Sequence, residues 1–152
     1  MIRYLLPLLF LLGCGTSNTT KREGLREWME PNGKLKVLAT TGMIADLVKA
    51  VGDNEIDIMT LIHGDLDPHS YQLVKGDDEK LGFANLIFYN GLGLEHSPSI
   101  HQALVNNPRS VALGDEIARI RTNDILTFGQ DIDPHIWMDL SLFKLSIPII
   151  VQ

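Results

Sequence analysis

KLKVLATTGMIADLVKAVG, residues 34–52, decides the fold. Leu35 to Ala39 is a short apolar run and reads as a strand. Thr40-Thr41-Gly42 is a turn that offers a helix N-cap. From Met43 to Val51 the apolar residues Ile44, Leu47, Val48 and Val51 fall at helical spacing, and Gly52 suits a helix stop. Downstream the alternation continues. A second strand is expected over Ile56 to Ile62 and a helix over Asp77 to Ala84, whose acidic first turn suits the helix dipole. A third strand is expected over Leu86 to Tyr89, a helix over Ser99 to Val105 and a fourth strand over Ser110 to Leu113. Strands alternating with helices predict an α/β fold, a parallel sheet covered by flanking helices. Ligands of such sheets sit beyond the carboxyl ends of the strands. Chemistry is therefore sought in residues 40–42, 63–71 and 90–98.

The chain has 152 residues, 45% of them hydrophobic, enough for one core and too short for two ordinary domains. Its net charge of −6 speaks against nucleic-acid binding, which needs a basic footprint. The single cysteine, Cys14, excludes an intramolecular disulfide and a cysteine-based zinc site.

Cys14 has its own context. Arg3 precedes a short apolar stretch from Tyr4 to Leu12, which is less than the ~20 residues of a transmembrane helix and reads as a secretory signal. Leu11-Leu12-Gly13-Cys14 resembles the lipobox of bacterial lipoproteins, in which the cysteine is lipidated and anchors the chain to a membrane. Residues 1–13 are thus expected as signal peptide and residues 14–33 as lipidated cysteine and polar tether, with a short helical turn over Leu25 to Met29. The folded lobe is expected over residues 34–140.

The chemistry is carried by a recurrence. Asp65-Leu66-Asp67-Pro68-His69-Ser70-Tyr71 returns as Asp131-Ile132-Asp133-Pro134-His135-Ile136-Trp137, in a chain with five histidines. Neutral imidazole is the commonest metal ligand, and a proline before each histidine lowers the entropy of ordering it. Asp67 and Asp133 are candidates to accept the second ring N–H of each histidine and fix its tautomer. Tyr71 and Trp137 would wall the site. His63, His96 and His101 read as surface histidines, although the loops of His63 and His96 lead towards the pair. Glu95 is a possible oxygen ligand. A metallohydrolase would need a base in reach, Glu95 or Asp65, and the chain has no HExxH motif.

These motifs resemble the periplasmic metal-binding lipoproteins of zinc/manganese ABC importers, the TroA-like family. The resemblance runs through residues 37–46, 64–71, 84–95 and 133–139, and covers Lys34 to about Pro148. It implies a two-lobed protein that holds a divalent ion, Zn²⁺ or Mn²⁺, between its lobes and delivers it to a permease. Two ligands of the first lobe map onto His69 and His135; a His or Glu and an Asp would come from the second. Some relatives act as adhesins, so a lipid-anchored surface protein without transport activity is the alternative. The chain stops at Gln152, and residues 141–152 read as the start of the inter-lobe segment. It is therefore expected to be the N-terminal lobe alone, with the missing ligands on a second lobe, which another chain could supply. The His-rich acidic loop of many zinc-type relatives is absent from these residues, which tilts the expectation towards manganese or broad specificity. The expected location is the periplasm or the cell surface.

Overall fold

The computed structural model describes residues 17–152, with side chains from residue 23. The signal sequence and Cys14 lie outside the described residues. The first element is a helix, α1 (Ser17–Met29). A parallel sheet follows, built from β1 (Leu35–Ala39), β2 (Ile56–Thr60), β3 (Leu86–Tyr89) and β4 (Ser110–Ala112) in the order β2-β1-β3-β4. Its connections carry α2 (Gly42–Gly52), α3 (Asp77–Phe83) and α4 (Pro98–Val105). Beyond the sheet come α5 (Leu113–Ile120), a small antiparallel hairpin of β5 (Thr127–Phe128) and β6 (Asp131–Ile132), and two short helices, α6 (Leu140–Phe143) and α7 (Ser146–Ile150).

The two-residue period of the central strands explains the layers. Leu38, Ile87 and Tyr89 face one core with Trp28, Leu61, Ile100 and Leu104. Val37, Ala39 and Phe88 face the other, with Ile44, Val48 and Leu113. Each of these side chains is buried, as a parallel sheet covered on both faces requires. The register sets Val37 beside Ile58 on one side and beside Leu86 on the other. Backbone pairing continues past the end of β2. The N–H groups of Leu61 and Ile62 donate to the carbonyls of Ala39 and Thr40 at 2.8 and 2.9 Å, so the expected strand to Ile62 is matched in hydrogen bonding.

Three expectations need correction. Residues 17–29 form the helix α1, where a polar tether with a short turn is expected. Its apolar Leu25, Trp28 and Met29 make one helical patch that packs on the first core. The Trp28 indole N–H donates to the Asp57 carbonyl at 2.9 Å, and its ring meets Phe83 edge-on at 5.6 Å. Residue 113, expected to end a strand, opens α5, which buries Leu113 and Ile117. Tyr71 does not wall the site: its ring is buried in the first core and its hydroxyl donates to Asp77 at 2.6 Å. Among the described residues no helix is long and apolar enough to cross a membrane.

Candidate metal centre

Two of the loops searched, and the hairpin, converge at the carboxyl end of the sheet. The loop after β2 carries His69. The loop after β3 carries Glu95 and His96. The β5–β6 hairpin delivers Asp133-Pro134-His135, and the Asp133 N–H donates to the Leu126 carbonyl at 2.9 Å to close it. The outcome is that the two histidines of the recurrent motif lie side by side. Their ring centres are 5.5 Å apart, with the planes inclined by 53°. Two imidazoles that share one tetrahedral zinc, with metal–nitrogen bonds of about 2.0–2.1 Å, have ring centres about 5.2 Å apart. The pair stands at that spacing.

The two copies of the motif use their aspartates differently. Asp133 Oδ1 accepts both the backbone N–H of His135 at 3.0 Å and its ring Nδ1 at 2.6 Å. A carboxylate only accepts, so the proton sits on Nδ1 and Nε2 keeps its lone pair for a ligand. The His135 backbone N–H and ring hold the Asp133 carboxyl below the usual carboxylate range. In the first copy Asp67 Oδ1 accepts the backbone N–H of His69 at 3.0 Å, and Oδ2 accepts the Ser70 hydroxyl at 2.9 Å. These donors, the His69 N–H foremost, lower its carboxyl too. Asp67 thus shapes the turn that presents His69 and, unlike Asp133, makes no bond to its ring. Trp137 lies edge-on to the His135 ring, with centres 5.1 Å apart.

Beneath the pair lies a polar network. Glu95 is 3% exposed, and its carboxylate accepts the Thr40 hydroxyl at 2.6 Å and the backbone N–H groups of Asn90 and Gly91 at 2.9 and 3.1 Å. Burial pushes its carboxyl above the ordinary value, against the pull of these donors. Glu95 is thereby a pillar of the loop rather than an open oxygen ligand. The fully buried Asn90 sends one amide hydrogen to the Gly91 carbonyl and the other to the Pro134 carbonyl at 2.8 Å. The turn itself is left-handed over three residues, Gly91, Leu92 and Gly93, with φ of 73°, 53° and 78°. A side chain on Gly91 would also strike the Asp115 carboxyl, 2.9 Å from the position of its Cβ. Asp115 in turn accepts the Leu92 N–H at 2.8 Å and holds the strained residue in place.

Of the remaining histidines, His96 sits beside His69, ring centres 5.6 Å apart. His63 lines a cleft with Trp28, Asp57 and Thr60 instead of joining the pair, and His101 is exposed on α4. Among the described residues no three His, Cys, Asp or Glu side chains already converge on one point. The donor chemistry fits a borderline divalent ion in part: two imidazoles side by side, one of them held through Nδ1 by a carboxylate.

Residues 37–151 match the model of the family described as zinc-uptake complex component A, periplasmic. The chain belongs to the ZnuA family. Metal-binding protein YtgA of Chlamydia pneumoniae is 39% identical over 138 residues, which are 90% of this chain and 41% of that protein. Zinc-binding protein TroA of Treponema pallidum is 34% identical over 121 residues, 80% of this chain and 39% of TroA. The crystal structure of Fe(III)-bound YtgA from Chlamydia trachomatis superposes with a TM-score of 0.73 at 38% identity, covering 77% of this chain and 41% of that one. The periplasmic zinc-binding protein TroA gives 0.67 at 35% identity over 78% and 42%. The α/β architecture of the ZnuA family is therefore present here, and the chain spans about two fifths of the length of these relatives.

Proposed function

We propose that this chain is the N-terminal lobe of a metal-capture protein, with His69 and His135 as its ligands, which hands a divalent cation to an ABC importer. The observation that carries this reading is the 5.5 Å approach of the two imidazoles from the recurrent Asp-Pro-His loops. Relatives are named as a zinc-binding protein, a manganese-binding lipoprotein and an iron ABC transporter substrate-binding lipoprotein. These names support a lipid-anchored protein of the periplasm or cell surface, with Cys14 as its anchor and a permease as its partner. The division into signal peptide, anchor, lobe and inter-lobe segment belongs to the same reading. Further ligands would come from a second lobe, outside these residues.

The role is capture rather than catalysis. The carboxylate of Glu95, one of the bases a hydrolase reading offers, is already engaged by three donors of the protein. The test is a chelator-competition titration of the purified chain with Zn²⁺ and Mn²⁺, beside the His69→Ala/His135→Ala double variant. Binding that is lost in the variant supports the reading. Equal binding by both proteins overturns the ligand assignment.

A further inference from the structure

We infer that the turn of residues 90–97 is a bracket that fixes the distance between the two imidazoles, with Glu95 and Ser97 as positioning residues; the inference rests on the ligand pair proposed above. The turn is bonded to both ligand loops. At one end the Asn90 side-chain amide donates to the Pro134 carbonyl at 2.8 Å, one residue before His135. At the other end the Ser97 hydroxyl donates to the carbonyl of His69 itself at 3.2 Å.

The chemistry of each end bond points the same way. The oxygens of Gly91 and Pro134 only accept, so the NH₂ end of the Asn90 amide must face them. That orientation leaves the buried Asn90 Oδ1 without a hydrogen-bond partner among the described residues, a cost borne while the Pro134 carbonyl is held. Ser97 stands at the N-cap of α4, where a serine oxygen ordinarily accepts an N–H of the first turn. Here it makes no capping bond, and its hydroxyl is turned to His69. The helix fixes its backbone, since the Ser97 carbonyl accepts the His101 N–H at 2.9 Å.

A bracket must be stiff between its ends, and Glu95 supplies the stiffness. Its Oε1 accepts the Asn90 N–H and the Thr40 hydroxyl, and its Oε2 accepts the Gly91 N–H. Because Thr40 follows β1, the carboxylate pins the turn to the sheet. The Leu94 N–H closes the turn on the Gly91 carbonyl at 3.0 Å. Beyond Ser97 the seam with the His69 loop continues, with Ser99 Oγ donating to Gln72 at 2.7 Å and accepting the Leu73 N–H at 3.0 Å. A separation set in advance spares the ion the cost of ordering its ligands.

The test compares the purified chain with four variants. Glu95→Gln keeps the size of the side chain but sets a donor among donors. Ser97→Ala removes the bond to His69. Val48→Ala, in the core on the other face of the sheet, is a control for lost stability that touches none of these bonds. The fourth is the His69→Ala/His135→Ala double variant. Two quantities are read: the nuclear Overhauser effect between the His69 and His135 ring protons without metal, and the Zn²⁺ affinity by chelator competition. The expected result is a weakened Overhauser effect in Glu95→Gln and Ser97→Ala and a Zn²⁺ affinity lowered about tenfold, the scale on which groups that orient ligands act. Val48→Ala keeps the parent's values of both. If both quantities are unchanged in Glu95→Gln and Ser97→Ala, or if Val48→Ala loses as much, the inference is overturned, while the ligand pair stands if the double variant loses binding. If the double variant binds Zn²⁺ like the parent, the ligand pair fails, and the Overhauser effect alone decides for the bracket: its loss in Glu95→Gln and Ser97→Ala sustains it and its persistence overturns it.

Discussion

The side-chain amide of Asn90, at the end of β3, donates to the carbonyl of Pro134 at 2.8 Å, and so ties the central sheet to the loop that presents His135. The two residues are 44 positions apart in sequence, and Asn90 is fully buried. Asn90→Ala removes this bond and the one to the Gly91 carbonyl. The expected loss is about 1–3 kcal/mol of stability, the scale for leaving buried acceptors without a partner. Urea unfolding measures it. Zn²⁺ affinity is expected to fall as well, because His135 is no longer aimed. A less stable variant with the parent's affinity would mean that the bond supports the fold without directing the histidine.

The unequal use of the two aspartates separates their effects. Asp133 holds the His135 ring as well as its backbone, so Asp133→Ala is expected to weaken Zn²⁺ binding about 10–100-fold. Asp67 holds backbone and hydroxyl only, so Asp67→Ala is expected to weaken binding less. Parallel titrations of the two variants decide this, and an equal loss in both would contradict it.

Asp77 should make stability fall in acid. Burial alone would raise its carboxyl, but the Tyr71 hydroxyl, the Val74 N–H and the Lys80 ammonium outweigh it and leave it below the ordinary value of 3.8. A carboxyl lowered by folding stabilises the protein above its unfolded value and stops doing so as the pH falls through the folded one. Asp77→Asn breaks the buried pair with Lys80 and is expected to cost about 3 kcal/mol at pH 7. The gap between variant and parent should narrow below about pH 3.8. Unfolding curves at pH 7 and pH 3 measure both, and a gap that widens in acid would refute the assignment.

Much of this was legible in the sequence because the physics was local. Buried parallel strands make short apolar runs, and the first three runs were each followed by a helix-spaced segment. The twin Asp-Pro-His loops were legible because both copies share one composition. α1 was not, since its apolar patch is only Leu25, Trp28 and Met29 in a polar stretch, and docking against the core is what makes it a helix. α5 did carry a signal, Leu113, Ile117 and Ile120 at helical spacing, but it begins where the fourth strand leaves off. The two-residue strands of the hairpin are too short to show a period. The placement of His96 depends on Leu92 adopting a left-handed conformation, which Asp115 supports from another element. No pattern near residue 96 encodes that.

If His135 is a ligand as proposed, its edge-on contact with Trp137 would make the molecule an optical reporter of its own loading. The chain has two tryptophans in unlike settings. Trp28 is 4% exposed, and its indole is hydrogen-bonded in the core, so its emission follows unfolding. Trp137 lies against the His135 ring, 5.1 Å between centres, so a cation binding at that imidazole would change the field at the indole. With Trp28 replaced by Phe, the remaining fluorescence reads occupancy at His135 without any added dye.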